Sequence, residues 1–456
     1  MVPGRVELSI EPRPPGGKPY LRLLRGRVLS FVDEPQARDD HASYRYIEDG
    51  MVGIDVLTGR ILVVDDWSEA AAAAHPEIVE VIDHRPNLIM AGFIDPHIHF
   101  PQMQVIGAYA GGLLEWLNTY TFVEEQKFGD IDHATRIASR FFDELVRHGT
   151  TTAAAYCSVH PQSVDAFFSE AEKRNMLMVG GKVMMDRNAP PGLCDTPQSG
   201  YDDTKAGIAK WHGNGRAHYA ITPRFAITST HEQMAMAEAL AREFPDLHIQ
   251  THVSENLAEI AFANELYPNY GDYVGIYEKF HLLGPKTLLG HCIHLSHRET
   301  EAIANTRSVA VFCPTSNLFI GSGLFDYDRQ HEHGVRIATA TDVGGGSSYS
   351  MLRTMDEGYK VMQLRGQRLT PLRSFYHMTL GNARAMSLDD RIGTLEAGKE
   401  ADIVVLNSGA TPQMKLRMET VDSLEQELFL LQTCGDDRAI VETYVMGEAQ
   451  KSKLAA

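Results

Sequence analysis

Short apolar runs recur through the middle of the chain and are separated by segments with helical periodicity. Runs of this kind, bounded by turn-forming residues, indicate buried strands. Strands that alternate with helices over roughly 300 residues are typical of a closed TIM-type (β/α)8 barrel, the α/β fold that we predict. An open doubly wound sheet is the alternative, but no G-x-G-x-x-G motif follows any of the runs. The first run lies within Leu88–Ile94, before His97 and His99, and the others begin at Thr150, Met176, Ala217, Leu247, Thr287, Val309 and Arg336.

One intervening segment, DIDHATRIASRFFDELVRHG, illustrates the helical pattern. Asp130 or Asp132 can cap its start, because a short carboxylate side chain accepts from the free N–H groups of a first turn. Apolar residues recur at a spacing of four from Ile137 to Leu145 and would form one buried stripe. Gly149 follows the end of the pattern, as expected where a helix stops.

The two ends of the chain show a different pattern, in which apolar and polar residues alternate between glycine turns. Examples are YLRLLRGRVLSFV near the beginning and EADIVVL near the end. Alternation with a period of two predicts strands of an antiparallel sheet. We therefore predict a small β-sandwich domain built from residues 1–90 and 396–456, around a barrel of residues 91–395. Whether the polar loop of residues 186–203 closes over a site is left open.

The bulk composition narrows the possible functions. A chain of 456 residues exceeds the size of one ordinary hydrophobic core, which agrees with two domains. Its net charge of −18 disfavours nucleic acid and anionic membranes as partners. The five cysteines are odd in number and show no C-x-x-C spacing, which disfavours both a disulfide framework and a cysteine-based zinc site.

Targeting signals are the next consideration. The first 17 residues contain no apolar stretch of signal-peptide length, and no stretch of the sequence is apolar for the length of a membrane span. The SKL tripeptide near the end is internal and therefore does not match a peroxisomal address. We expect a soluble cytoplasmic protein.

Two histidines, His97 and His99, follow the first apolar run with one residue between them. The run within Leu88–Ile94 predicts a short buried strand, and Asp95-Pro96 predicts its end. On extended backbone, residues i and i+2 point to the same side, so the two imidazoles can reach one point. A chance pair of surface histidines is the alternative, and the hypothesis of a metal site therefore depends on partners elsewhere.

Further polar residues fall where the other predicted strands end, which is the position that faces the active site of a barrel. Any one of them could be a buried structural histidine or a turn residue. Their joint placement at the same end of one barrel favours a site with nitrogen and oxygen ligands, a set that zinc or iron accepts. These residues are Arg224, Phe225, His252, Glu255, His291 and Asp342.

The order of these residues resembles the metal-dependent amidohydrolase superfamily. H-x-H follows strand one, H-x-x-E follows strand five, a histidine follows strand six and an aspartate follows strand eight. Within the superfamily, the chain resembles the guanine deaminase family over essentially its whole length. The motifs that carry this narrower resemblance are HIHFPQ from His97, LLEWLNTYTF from Leu113, TPRF from Thr222, THVSEN from Thr251, CPTSNLFIGSG from Cys313 and TDVGGGSSYSM from Thr341.

The resemblance implies a homodimeric hydrolase of purine catabolism that converts guanine and water into xanthine and ammonia, with one Zn²⁺ per subunit. It implies that Glu255 moves protons and that His291 and Asp342 assist the reaction. The implied metal ligands are His97, His99, His252 and Asp342. The implied substrate contacts are Gln102, Arg224, Phe225, His252, Glu255 and Asp342.

The hydrogen-bonding polarity of Arg224 agrees with that substrate. A guanidinium has donors only, so it suits the O6 carbonyl of guanine and has nothing to accept from the amino group of adenine. A related deaminase or chlorohydrolase acting on cytosine or a triazine is an alternative, as is a non-catalytic binding protein on the same barrel. Lys182 could be a carboxylated lysine that bridges two metals, but superfamily members with such a lysine draw it from the fourth strand, where this chain has TPRF.

Overall fold

The computed structural model describes residues 20–69, 72, 78–109 and 111–454. Residues 1–19, on which the prediction about a signal peptide rested, lie outside the described residues. None of the helices in the described part of the chain combines the length and the apolar composition that crossing a bilayer requires.

Sixteen strands are present in the described residues, and they belong to two sheets. They are β1 Leu21–Phe31, β2 Tyr44–Asp55, β3 Arg60–Asp66, β4 Ile78–Ala91, β5 Phe93–His99, β6 Thr150–Tyr156, β7 Leu177–Gly181, β8 Val183–Met184, β9 Ala217–Pro223, β10 His248–Val253, β11 Thr287–His291, β12 Val309–Phe312, β13 Arg336–Thr339, β14 Ile403–Leu406, β15 Ile440–Val445 and β16 Glu448–Ala449.

The strands from β5 to β13 form the barrel that the sequence predicted. Each main strand is parallel to the next along the chain, in the order β5-β6-β7-β9-β10-β11-β12-β13, and the short strand β8 pairs beside β9. The barrel of eight strands is thereby confirmed, although the first strand begins and ends later than predicted. The first and last strands meet beyond the regular ladder, where the Asp342 N–H donates to the His97 carbonyl at 2.9 Å and the His99 N–H donates to the Val343 carbonyl at 2.7 Å.

Helices connect the barrel strands and extend the terminal domain. The α-helices in the described residues are α1 Leu113–Trp116, α2 Phe122–Glu125, α3 Ile131–Arg147, α4 Pro161–Arg174, α5 Pro197–Trp211, α6 His231–Glu243, α7 Leu257–Leu266, α8 Tyr273–Lys279, α9 His297–Thr306, α10 Pro314–Phe319, α11 Tyr327–Glu332, α12 Met351–Leu364, α13 Pro371–Tyr376, α14 Asn382–Ala385, α15 Pro412–Met418 and α16 Leu424–Cys434. Two π-helical turns are Leu117–Thr121 and His377–Gly381. The 3₁₀ turns are His41–Ser43, Phe100–Val105, Gln126–Gly129, Pro191–Leu193, Ala226–Thr228, Asp437–Ala439 and Lys451–Lys453.

Helix α3 is the helix that the periodicity predicted after the first barrel strand. Asp130 is its cap, because its side chain accepts hydrogen bonds from the main-chain N–H groups of Asp132 and His133. Gly149 follows the helix with φ of +83°, a left-handed conformation that glycine adopts without the steric cost of a Cβ. The predicted apolar stripe is buried against the barrel.

The two ends of the chain build the second sheet, which confirms the prediction of a small β domain from both termini. Its strands follow the order β16-β15-β14-β4-β1-β2-β3. Neighbouring strands are antiparallel except β1 and β4, which are parallel. All seven described strands of this domain belong to one hydrogen-bonded sheet rather than to two separately paired sheets.

The structure corrects the prediction for the segment before the histidine pair. Leu88–Ala91 belongs to strand β4 of the terminal sheet, and the first barrel strand continues as far as His99. The pairing of β5 with β6 shifts register between Asp95 and Ile98. The Asp95-Pro96 pair therefore marks an irregularity inside the strand, where a residue without an N–H is tolerated, and not the end of the strand.

Candidate active site

A cavity opens at the C-terminal ends of the barrel strands, where the sequence predicted the site. It contains about 390 Å³ of space between its atoms, its mouth included. Most of the predicted site residues share this one cavity. The lining residues are His99, Gln102, Leu113, Trp116, Leu117, Arg224, Phe225, His252, Glu255, His291, Ile320, Asp342 and Gly345.

The four residues implied as metal ligands converge on one point. Nε2 of His99 lies 3.1 Å from Nε2 of His252 and 3.3 Å from Oδ1 of Asp342. The same carboxylate oxygen lies 3.4 Å from Nε2 of His97. All four side chains are buried. They come from β5, β10 and the segment directly after β13, so the closed barrel is what brings them together.

Hydrogen bonds and orphaned nitrogens indicate that this cluster fits a metal. Nδ1 of His252 lies 2.7 Å from the Arg224 carbonyl, which can only accept, so Nδ1 carries the proton and Nε2 presents a lone pair. Neither ring nitrogen of His97 has a hydrogen-bond partner among the described residues. Buried lone pairs that face one another call for a cation, and three imidazoles with a carboxylate are a donor set that zinc accepts.

The protonation states of the cluster suit a ligand set. Burial lowers the pKa of His99 to about 4. Burial and the neighbouring histidines lower the pKa of His252 well below its usual value. Burial opposes the ionisation of Asp342, but the imidazoles of His97 and His99, whose Nε2 atoms lie 3.4 and 3.3 Å from its Oδ1, hold the pKa of that carboxyl well below its usual range. Neutral imidazole and ionised carboxylate are the forms that bind metals.

Glu255 and His291 lie beside this cluster. Oε2 of Glu255 is 3.4 Å from Nε2 of His291, and its Oε1 accepts a hydrogen bond from Ser322 Oγ at 2.7 Å. Burial, followed by the charge of Asp342, raises the pKa of Glu255 to about 8. A carboxyl group that titrates near neutral pH can both accept and donate a proton. Nδ1 of His291 lies 3.0 Å from Oδ1 of Asn317, which fixes the orientation of the ring.

Gln102, Arg224 and Phe225, the three further residues implied to contact the substrate, line the same cavity. Nη1 of Arg224 donates to Oε2 of Glu125 at 2.6 Å. Nε2 of Gln102 donates to Oε1 of Glu125 at 2.9 Å. Oε1 of Gln102 accepts from the Gly344 N–H at 3.2 Å. The structure therefore brings together all the residues that the resemblance implied as metal ligands, catalytic groups or substrate contacts.

Several residues at the site were missed by sequence reasoning. Glu125 was not singled out, and Trp116 was noted only within the LLEWLNTYTF motif, although it is both buried and part of the cavity wall. Nε1 of Trp116 has no hydrogen-bond partner within the described ranges. Asn317 and Ser322 lie in the CPTSNLFIGSG motif, so their location was signalled, but not the contacts that they make.

Two other polar features lie outside this cluster. Lys182 is buried and its Nζ pairs with the carboxylate of Asp195, so it ties the third barrel strand to the polar loop of residues 186–203. This pairing offers no support for a carboxylated lysine between two metals. A second H-x-H pair in the sequence, His331 and His333, lies at the end of helix α11, where Nε2 of His331 is 3.2 Å from Oε1 of Glu34.

The backbone at the strand ends is unusual. His291 and Asp342 have φ of +73° and +50°, and Ser254 and Cys292 have φ of +53° and +51°. Residues other than glycine rarely adopt this left-handed backbone conformation. Such residues persist where the surrounding structure determines them, and they cluster at functional sites.

Comparisons with known proteins agree with this geometry. Residues 88–449 match the Amidohydrolase family. Guanine deaminase of Escherichia coli (strain K12) is 45% identical over 435 residues, which cover 94% of this chain and 98% of that protein. The crystal structure of guanine deaminase from Bradyrhizobium japonicum is 38% identical with a TM-score of 0.90, over 94% of this chain and 98% of that one. Guanine deaminase from C. acetobutylicum with bound guanine in the active site is 29% identical with a TM-score of 0.83, over 94% and 99% of the two chains.

Proposed function

The chain belongs to the amidohydrolase family, and we infer that it hydrolyses guanine to xanthine and ammonia. The observation that carries this proposal is that one cavity contains both the histidine and aspartate cluster at the strand ends and the side chain of Arg224, which only donates hydrogen bonds. The first can activate water and the second can recognise a carbonyl oxygen. The similarity to guanine deaminases from three bacteria supports the same substrate.

We assign the metal position to His97, His99, His252 and Asp342, with one zinc ion per subunit as the occupant. Iron is the alternative, because nitrogen and oxygen ligand sets bind several divalent ions. When bound, a divalent ion acidifies water and so makes a nucleophile available at neutral pH. Three neutral histidines and one ionised aspartate would cancel only one of the two positive charges of a divalent ion. The occupied site would therefore keep a net positive charge, which preserves that effect.

The proton transfers are assigned to Glu255. Deamination adds water to C2 of guanine, protonates the adjacent N3 and releases the 2-amino group as ammonia. Glu255 takes the proton from water, delivers it to N3 and then helps to protonate the departing amine. General acid-base help of this kind contributes about 10²–10⁴-fold to a rate. Nε2 of His291 faces the carboxylates of Glu255 and Asp342 at 3.4 and 3.8 Å. Since Nδ1 donates to Asn317, His291 donates from Nε2 to the attacking oxygen or to the developing charge in the form that carries a proton on both ring nitrogens.

Recognition of the base is assigned to three side chains. Arg224 donates to O6, Gln102 binds a ring edge through its amide, and Phe225 packs against the flat base. A site built from buried donors rejects analogues that leave those donors unpaired, by as much as about 10⁴–10⁵-fold. Adenine, which carries an amino group at position 6, is therefore a poor ligand.

The wider organisation is also part of this proposal. We assign residues 91–395 to the catalytic barrel and residues 1–90 and 396–456 to the terminal β domain, a division that the two separate sheets support. The family resemblance implies that the enzyme is a homodimer and that it is cytoplasmic.

The experiment is ammonia release from guanine, with adenine, cytosine and guanosine alongside, before and after chelation and with zinc added back. We expect turnover of guanine alone, lost on chelation and restored by zinc. In parallel, Glu255→Gln should lower kcat by about 10²–10⁴-fold, whereas Glu265→Gln on the exposed side of α7 should not. Turnover of another amine would overturn the substrate assignment, and chelator-resistant activity would overturn the metal assignment.

A further inference from the structure

A buried carboxylate, Glu125, lies behind the two polar residues that face the purine pocket. Its side chain is only 1% exposed. One oxygen accepts from Nη1 of Arg224 at 2.6 Å and the other accepts from Nε2 of Gln102 at 2.9 Å. One carboxylate therefore joins the guanidinium and the amide, which are 122 residues apart in sequence (102 to 224).

The local helix geometry explains how Glu125 reaches this position. The π-helical turn Leu117–Thr121 lies between α1 and α2. Such a turn inserts an extra residue and changes which side chains face a given direction. Before the turn, Trp116 lines the cavity. After it, Phe122 lies with its ring centroid 5.3 Å from Cζ of Arg224, and Glu125 pairs with the same guanidinium.

The chemistry of a carboxylate fixes the orientation of its two partners. An ionised carboxylate only accepts hydrogen bonds, so the amide of Gln102 must turn its NH₂ group toward Glu125. Its carbonyl oxygen then points toward the Gly344 N–H, at 3.2 Å. The ion pair with Glu125 likewise occupies one end of the Arg224 fork and leaves the remaining N–H groups for a ligand in a fixed plane.

We propose that Glu125 is a positioning residue that sets the hydrogen-bonding polarity of the pocket, so that the pocket prefers a purine with a carbonyl oxygen at position 6. It acts through Arg224 and Gln102 and does not line the cavity itself. The proposal rests on the proposed function, because Arg224 and Gln102 are assigned to the base there.

Glu125→Gln tests this role, because it keeps the shape of the side chain and replaces one acceptor by a donor. One of the two contacts must then become donor against donor. Hypoxanthine carries O6 and purine does not, and neither has an amino group at C2, so their inhibition constants report binding alone. For hypoxanthine we expect a rise in Ki of about 10–100-fold, as for a lost hydrogen bond to a charged group. For purine we expect the Ki to rise by less than about threefold. The kcat/KM for guanine should fall in parallel with the affinity for hypoxanthine.

Glu124→Gln is the matched control, since the neighbouring Glu124 pairs with Lys127 near the surface. It should leave both inhibition constants unchanged. Equal increases in both constants for Glu125→Gln would indicate a structural role and overturn the proposal, as would no change in either.

A second variant keeps the proposal testable if Glu125→Gln does not fold. Glu125→Asp retains the charge but is one methylene shorter. It should therefore also raise the Ki for hypoxanthine more than the Ki for purine, by a smaller factor than Glu125→Gln does. Unchanged selectivity in a folded Glu125→Asp protein would also contradict the proposal. Failure of the wild-type protein to deaminate guanine would instead overturn the proposed function, and the two failures are therefore distinguishable.

Discussion

At the scale of single residues, Arg224 performs two tasks through different atoms. Its main-chain carbonyl accepts from Nδ1 of His252 at 2.7 Å and so sets the tautomer of that ring. Its side chain lines the cavity and pairs with Glu125. A substitution of Arg224 therefore changes recognition of the base while the main-chain contact that orients His252 remains.

Gly290 provides the residue-scale prediction. A Cβ at this position would lie 2.5 Å from Cε1 of His97 and 3.0 Å from its Nδ1, closer than side chains approach. Gly290→Ala should therefore displace His97 and lower the affinity for the metal by about 10–100-fold, as for a disturbed ligand orientation. Titration of the zinc-free protein with zinc measures this affinity.

Gly284→Ala is the control for that substitution, because the nearest atom to its Cβ would be Oγ1 of Thr287 at 4.0 Å. The control should bind zinc as the wild-type protein does. Unchanged zinc affinity in Gly290→Ala would mean that His97 does not contribute to the metal position.

At the scale of elements, the barrel strands place the reactive groups on a rigid frame. His252 is the penultimate residue of β10, His291 is the last residue of β11, and Asp342 follows β13 by three residues. The carboxyl ends of parallel strands point the same way, so closure of the sheet brings these side chains to one face. The geometry of the site therefore depends on how the first and last strands meet.

Asn382 provides the element-scale prediction, because its buried amide joins these two strands. Nδ2 donates to the carbonyls of Ile94 and Thr339, both at 2.8 Å, and Oδ1 accepts from the Thr339 N–H at 3.0 Å. Asn382→Ala should lower the free energy of unfolding by about 3 kcal/mol, because three buried groups lose their partner. Chemical denaturation measures the change.

Asn214→Ala, on an exposed turn, is the control for Asn382 and should change the free energy of unfolding by less than about 0.5 kcal/mol. A similarly small effect of Asn382→Ala would show that the strands close without this amide.

At the scale of the whole molecule, a buried ion pair network joins the barrel to the terminal domain. Arg216, directly before β9, has its guanidinium 2.6 Å from Oε2 of Glu400 and 2.6 Å from Oδ2 of Asp402, just before β14. Its side chain is only 6% exposed. Removal of Arg216 takes away the cation paired with the buried carboxylate of Asp402, whereas Glu400 keeps its pair with Arg391 at 2.8 Å.

Arg216→Met provides the prediction at this scale. It should destabilise the protein by about 3–5 kcal/mol, the usual effect of breaking a buried pair. Arg438→Met, which breaks a mostly exposed pair with Asp436, should cost less than about 1 kcal/mol. Thermal unfolding of the two variants compares them, and equal melting temperatures would refute a stabilising role for the Arg216 network.

The sequence by itself determined the barrel and the residues at its strand ends. Periodicity and the residues that follow each strand are local properties, and the eight apolar runs with His97, His252 and Asp342 after them lie within short windows. Parallel closure then places all strand ends together whatever the intervening helices are.

Only the tertiary structure decided which residues contact one another across those windows. Glu125 pairs with Arg224 across 99 residues, and Lys182 pairs with Asp195 instead of a metal. The segment Leu88–Ile94 is one apolar run in sequence, but it is divided between two sheets because its first half pairs with β14 of the terminal domain. Such contacts depend on packing between distant segments, and no local pattern of hydrophobic and polar residues records them.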